Sequence, residues 1–228
     1  MSIAEKLTTV AENMPKVYEA GQKLERNSFW DAYLKSSYCV YKFAGNGWTD
    51  KIFNPNADIK ASGSAESMFR QTKIVDLKGR LEACGVSLDL SKANNANYLF
   101  GYADALETVP KIDISSVGAN TTYLFRNDAK LTTIEELKIG ETVTFASNSF
   151  NGCTALTRLI MTGALATNGL DLHWSTKLDK ESLLSIVNVL QDKTSVGGTW
   201  TVTLGTENLA KLTDAEKAIA TQKGWTLV

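Results

Sequence analysis

Tyr98-Leu99-Phe100 and Tyr123-Leu124-Phe125 are one tripeptide written twice, 25 residues apart, and Ser149-Phe150 follows after another 25. Six residues beyond each phenylalanine stands a leucine, Leu106, Leu131 and Leu156, and three further on stands Val109, Ile134 or Leu159. Three columns that hold one phase through three copies mark a repeat architecture, in which a unit's apolar face is covered only by its neighbour. Met68-Phe69, with Val75 at the same six-residue offset, reads as a degenerate earlier copy. The gap from Phe69 to Phe100 is longer than the gap from Phe100 to Phe125, so that copy carries an insertion or opens the array.

Between the columns the sequence alternates: Leu88-Asp89-Leu90, Ile112-Asp113-Ile114 and Leu137-Lys138-Ile139. Period-two alternation predicts short strands with one buried face. Such strands do not stand alone, but stacking at a fixed period gives each a parallel neighbour. Burying each large apolar side chain contributes about 1.5–3 kcal/mol before ordering entropy is subtracted.

This frame of Phe, five residues, Leu, two residues, Val or Ile and then an apolar-x-apolar strand resembles the BspA-like leucine-rich repeats of bacteria and their phages. The most specific phrase is Ser149-Phe150-Asn151-Gly152-Cys153-Thr154-Ala155-Leu156, and the likeness spans roughly residues 64–175. Two departures stand out. The asparagine column of ordinary leucine-rich repeats is missing, and the stretch from Leu156 to Gly163 is shorter than in the earlier copies, which leaves the last strand's register open. The resemblance implies an α/β fold: a short leucine-rich-repeat-type parallel solenoid with N-terminal helices and an α/β C-terminal cap. The expected boundaries are an N-terminal helical segment over 1–35, an aromatic-rich linker over 36–63, the solenoid over 64–175 and the cap over 176–228.

In the first segment, Ile3, Leu7, Val10, Met14, Val17 and Leu24 follow an alternating four-three spacing, a heptad seam. Pro15 predicts a break near Asn13 to Met14. The seam either caps the first repeat or mediates self-association or docking to a larger assembly. The stretch between Phe29 and Pro55, which runs from the end of that segment through most of the linker, holds Trp30, Tyr33, Tyr38, Tyr41, Phe43, Trp48 and Phe53, a compact aromatic core or a binding surface. Toward the other end, Leu183, Leu184, Ile186, Val187 and Leu190 form a helical stripe, and Trp200 to Gly205 alternates as a strand. Thr213-Asp214-Ala215-Glu216 is a capping-box start to a second helix that Gly224 stops. This end, like Ile3 to Gly21, resembles segments that accompany such repeats in phage and prophage proteins of gut bacteria.

The chemistry that the sequence offers is sparse. With 24 basic and 25 acidic residues the net charge is −1, which gives no global pull toward nucleic acid or an anionic membrane. Cys39, Cys84 and Cys153 lie far apart, neither paired as metal ligands nor even in number, and are expected as buried free thiols. Glu5, Lys6 and Glu12 interrupt the apolar positions from Met1 to Asn13, so no secretory signal is expected, nor, without a window of about 18 apolar residues, a membrane span. His173 is the sole histidine, and no phosphate loop, zinc pair or nucleophile elbow occurs. A Cys153–His173 pair lacks any orienting signature, and Glu135 and Glu136, adjacent on a strand, are expected to point apart. Neither catalysis nor a cofactor nor a metal is expected.

A row of strand positions remains as the candidate ligand-facing surface: Lys111, Asp113, Glu136, Lys138 and Arg158, of mixed charge, or else ordinary solvated residues. The resemblance implies a noncatalytic virion component, tail-associated and involved in host attachment, assembled in the host cytoplasm. Its partners would be other virion or tail proteins, or a host-surface protein or glycan, with the N-terminal helices forming a possible homo-oligomer. The alternatives are a bacterial adhesin or intracellular interaction module and, from the enzyme class, a glycan-cleaving tail component.

Overall fold

The computed structural model describes residues 59–228 except 62, 85, 86 and 147, and of residues 83 and 84 only the backbone. The expected N-terminal helical segment with its seam, the linker as far as residue 58, Cys39 and the side chain of Cys84 lie outside the described residues.

The fold is mixed α/β with short parallel sheets and few helices. Strands β1 (Ile59–Lys60) and β2 (Leu88–Asp89) pair with each other, with helix α1 (Leu77–Cys84) between them in sequence. Strands β3 (Thr108–Asp113), β4 (Thr133–Ile139) and β5 (Arg158–Gly163) form a three-stranded sheet in that order. Helix α2 (Lys180–Val189), β6 (Trp200–Val202), α3 (Thr206–Leu209), α4 (Asp214–Gln222) and β7 (Trp225–Leu227) complete the chain, β6 pairing with β7. Every strand pairing and isolated bridge among the described residues is parallel.

The spacing of the repeat becomes register. Thr108 pairs with Thr133 and Thr133 with Arg158, so Val109, Ile134 and Leu159 sit side by side in the core. Away from the sheet, the Phe69, Phe100, Phe125 and Phe150 rings form one continuous stack, each at most 1% exposed. Successive centroids lie 5.2, 5.0 and 5.4 Å apart with interplanar angles of 8°, 3° and 23°. Backbone bonds join the same turns: Phe69 N–H donates to Leu99 O, Phe100 to Leu124 O and Phe125 to Ser149 O, at 2.8, 3.0 and 2.7 Å. Each stacked ring pair adds about 0.5–1.5 kcal/mol beyond the area it buries.

One expectation needs correction and another needs extension. In the earliest copy Val75 is 48% exposed and Ile74 takes the buried place, with Leu77 three residues on. The turn there is one residue shorter than in the later copies, and the chain then enters α1 rather than a strand. Asp76 starts that helix by accepting the Gly79 N–H at 2.9 Å, as an N-cap does. In the later copies the expected triplets alternate, Ile112 and Ile114 buried about Asp113 and Leu137 and Ile139 about Lys138, but each strand starts earlier, and the step from Val109 to Ile112 and from Ile134 to Leu137 is three residues. The step spans Pro110 and Lys111 in β3 and Glu135 and Glu136 in β4, one residue more than alternation needs. β5 lacks it, burying Leu159 and Met161 at a spacing of two, so the β4–β5 register shifts between Ile134 and Leu137. This is how the shorter last copy fits: its final residue, Gly163, has φ +92°, and a Cβ there would run into Ile139 O.

Both edges of the sheet are covered. α1 packs beside β3. On the other side α2 lies against β5, where a further strand would otherwise pair, and its hydroxyls replace that strand: Ser182 Oγ accepts from Leu159 N–H at 2.9 Å and Ser185 Oγ from Met161 N–H at 3.0 Å. An open edge is thereby closed by side chains. α2 begins at the N-cap Asp179 and buries Leu183, Ile186 and Val187, as its stripe predicts, and α4 carries the expected Thr213–Glu216 capping box.

Candidate ligand-binding surface

Four of the five strand residues singled out from the sequence fall together on β3 and β4, joined across the strands in two ion pairs. Lys111 Nζ lies 3.1 Å from Glu136, and Lys138 Nζ lies 2.8 Å from Asp113. Glu136 also accepts from Thr162 Oγ1 on β5 at 2.7 Å. The Thr162 hydroxyl first, and Lys111 after it, hold the Glu136 carboxyl below its ordinary pKa. Burial opposes ionisation of Asp113, but bonds from Lys138 and Ser115 outweigh it and keep that carboxyl low as well. Half-exposed pairs of this kind contribute about 0.2–1 kcal/mol each. Arg158 is not part of the group: it turns to α2 and grips Glu181 with both terminal nitrogens, at 2.8 and 3.2 Å. The sheet face is thus a charge-balanced strip of alternating sign.

A second row lies where the chain turns on either side of the phenylalanines, and sequence reasoning missed it. The Arg70 guanidinium sits 4.6 Å from the Tyr98 ring centre, Tyr98 lies 4.6 Å from Tyr123, and Arg126 sits 4.5 Å from Tyr123. Tyr102 packs beside them, 6.4 Å from Tyr98. The signal was in the repeat itself, with tyrosine two places before Phe100 and Phe125 and arginine one place after Phe69 and Phe125. Guanidinium against phenol is a favourable stack, and it occupies the faces of the rings, which makes this row a clasp along the turns.

The groups considered for catalysis face different partners. Glu135 bonds Lys78 of α1 at 2.6 Å, whereas Glu136 faces Lys111 and Thr162, so the two point apart as expected. The Cys153 thiol is buried and donates to Phe125 O at 2.9 Å, with burial pushing its pKa well up. The His173 ring instead meets Asp171 Oδ1 through Nδ1 at 2.5 Å. Asp128, three residues after Phe125, is buried; its Oδ1 accepts from Ala103 N–H at 2.8 Å and its Oδ2 has no partner among the described residues. Desolvation raises its pKa well above the ordinary carboxylate value. Among the described residues no group of three or more His, Cys, Asp or Glu side chains is placed to hold a metal ion, and no helix is long and apolar enough to cross a membrane.

Compared with known proteins, the chain matches no family model, no curated protein and no solved structure.

Proposed function

We propose that this chain is a noncatalytic binding protein built on a short leucine-rich-repeat-type parallel solenoid, acting as a phage or prophage virion component that attaches to a host-surface ligand. One observation supports the solenoid and the binding role together: the stack of Phe69, Phe100, Phe125 and Phe150 beside strands that pair in the register of the repeat. A ladder of this kind aligns surface positions from successive units into continuous strips, the means by which repeat proteins present extended binding faces. The noncatalytic reading draws on the dispersal of Cys153, His173, Glu135 and Glu136 to separate partners, where an active site would gather them. The virion setting and the host ligand come from the BspA-like resemblance of the repeat.

The test is retention without cleavage. Purified full-length chain is mixed with insoluble bacterial wall from a gut species, and the pellet and the reducing ends in the supernatant are both measured. Saturable co-sedimentation with no new reducing ends is the expected result. Release of reducing ends would overturn the noncatalytic reading, and absence from the pellet would overturn host-surface attachment.

A further inference from the structure

We infer that the open recess beside His173 and Trp174 is a carbohydrate site that takes a neutral pyranose unit of a glycan. Such a ligand deepens the binding reading above and rests on it only for the claim that the glycan belongs to a host surface.

The recess has a volume of 620 Å³, within the range of about 300–1,000 Å³ of small-ligand pockets. Trp174 forms part of its wall and is 46% exposed, the one Trp, Tyr or Phe ring among the described residues that stands on the surface instead of in the core or half-covered. An exposed side chain alone says little, but this ring stands in the wall of a concave recess among polar groups, the composition of a small-ligand site. Its setting is fixed. Asp171 Oδ1 holds the His173 backbone N–H at 3.1 Å and the ring Nδ1 at 2.5 Å, and the imidazole lies 4.9 Å from the indole at a 45° tilt. From the other side Gly205, at φ +82°, brings its backbone so near that a Cβ would lie 3.2 Å from His173 Cα. The backbone that carries the indole is thus fixed and its His173 neighbour is oriented, which lowers the ordering cost of binding.

The rest of the lining selects the ligand. Thr154, Thr176, Lys177, Thr206 and Glu207 line the same recess with hydroxyl, ammonium and carboxylate groups, donors and acceptors together. Their one positive and one negative charge cancel, so no ionic ligand is favoured, and Lys177 opposes a quaternary ammonium. Thr206 Oγ1 donates to Glu207 at 3.0 Å, and an apolar peptide side chain would cover this pair and the Lys177 ammonium without replacing the water they lose. A pyranose presents both surfaces required: one face of C–H bonds that lies on an indole, and a rim of hydroxyls that both donate and accept.

Isothermal titration calorimetry on the full chain with N-acetylchitotetraose, maltotetraose and polygalacturonate tests the site. Saturable binding of at least one neutral tetraose is expected, weakened about ten-fold in Trp174→Ala and less in Trp174→Phe, as for loss of one stacked ring. Unfolding midpoints should stay unchanged, because the indole is exposed. Failure of both neutral tetraoses to bind, binding of polygalacturonate alone, or wild-type affinity in Trp174→Ala would each overturn the assignment. Retention of the wild-type chain on insoluble wall despite such a failure leaves the attachment reading standing and removes only this site; loss of wall retention removes the attachment reading itself.

Discussion

The middle of the chain and its C-terminal end use one backbone rule with opposite chemistry. From Phe69 to Phe150 the parallel turns are held by a dry column of aromatic rings. Beyond it the parallel spacing continues at the interval of the repeat, Leu165 bridging Leu190 and Trp200 pairing with Trp225. Yet the position one such interval after Phe150 is Ser175, fully buried, whose hydroxyl donates to Cys153 O at 3.2 Å. Asn208 closes the column, its Nδ2 donating to Ser175 O at 3.0 Å and to Leu204 O at 2.9 Å, while Lys211 caps its Oδ1 at 3.0 Å. A ring stack has no natural end, since its last face lies open. Buried amide and hydroxyl groups end it by satisfying the carbonyls that no further rung would reach. Periodic backbone pairing therefore does not require periodic side chains.

If the aromatic column carries the middle, Phe125→Ala should do the greatest harm, because it opens a cavity between two stacked neighbours. A loss of about 3–5 kcal/mol in denaturant unfolding is expected, and a cost under about 1 kcal/mol would show that the rungs do not depend on the ring. At the polar end Asn208→Ala should cost less, about 1–3 kcal/mol, the usual penalty for buried carbonyls left unpaired. Equal costs at the two positions would erase the contrast between the regions.

The smallest effect, and the one that sharpens the comparison, concerns Asp128, a polar group inside the apolar stretch. Its folded pKa lies above its unfolded one because it is desolvated. The folded state then keeps a proton that the unfolded chain releases. Stability is greatest below the ordinary carboxylate pKa and declines as pH rises from there toward the folded value. Asp128→Asn keeps an acceptor for Ala103 N–H and removes the ionisation. Urea titrations across that range should show the wild type losing stability relative to the variant as pH rises, the contributions of the other carboxylates being common to both; parallel pH profiles would contradict the assignment.

The sequence by itself determined the repeat, because one tripeptide recurring at a fixed interval imposes equal backbone paths, and equal paths can bury their phenylalanines only by stacking. Strand positions, the α2 stripe and the α4 capping box were legible for the same reason: each is a local pattern whose physical meaning does not depend on distant residues. Only the tertiary structure decided the rest. The one-residue slips at Ile74 and in β5 depend on which neighbour supplies the register, and spacing within one copy does not contain that. Ser182 and Ser185 close a sheet edge because α2 lies across β5, a placement invisible in a serine's own surroundings. The charges of Lys111, Asp113, Glu136 and Lys138 cancel through side-chain reach between strands, and Trp174 gained its recess from Thr154 and Gly205, residues brought to it by folding. Contacts between residues far apart in the chain are fixed by packing, and packing is a property of the whole molecule.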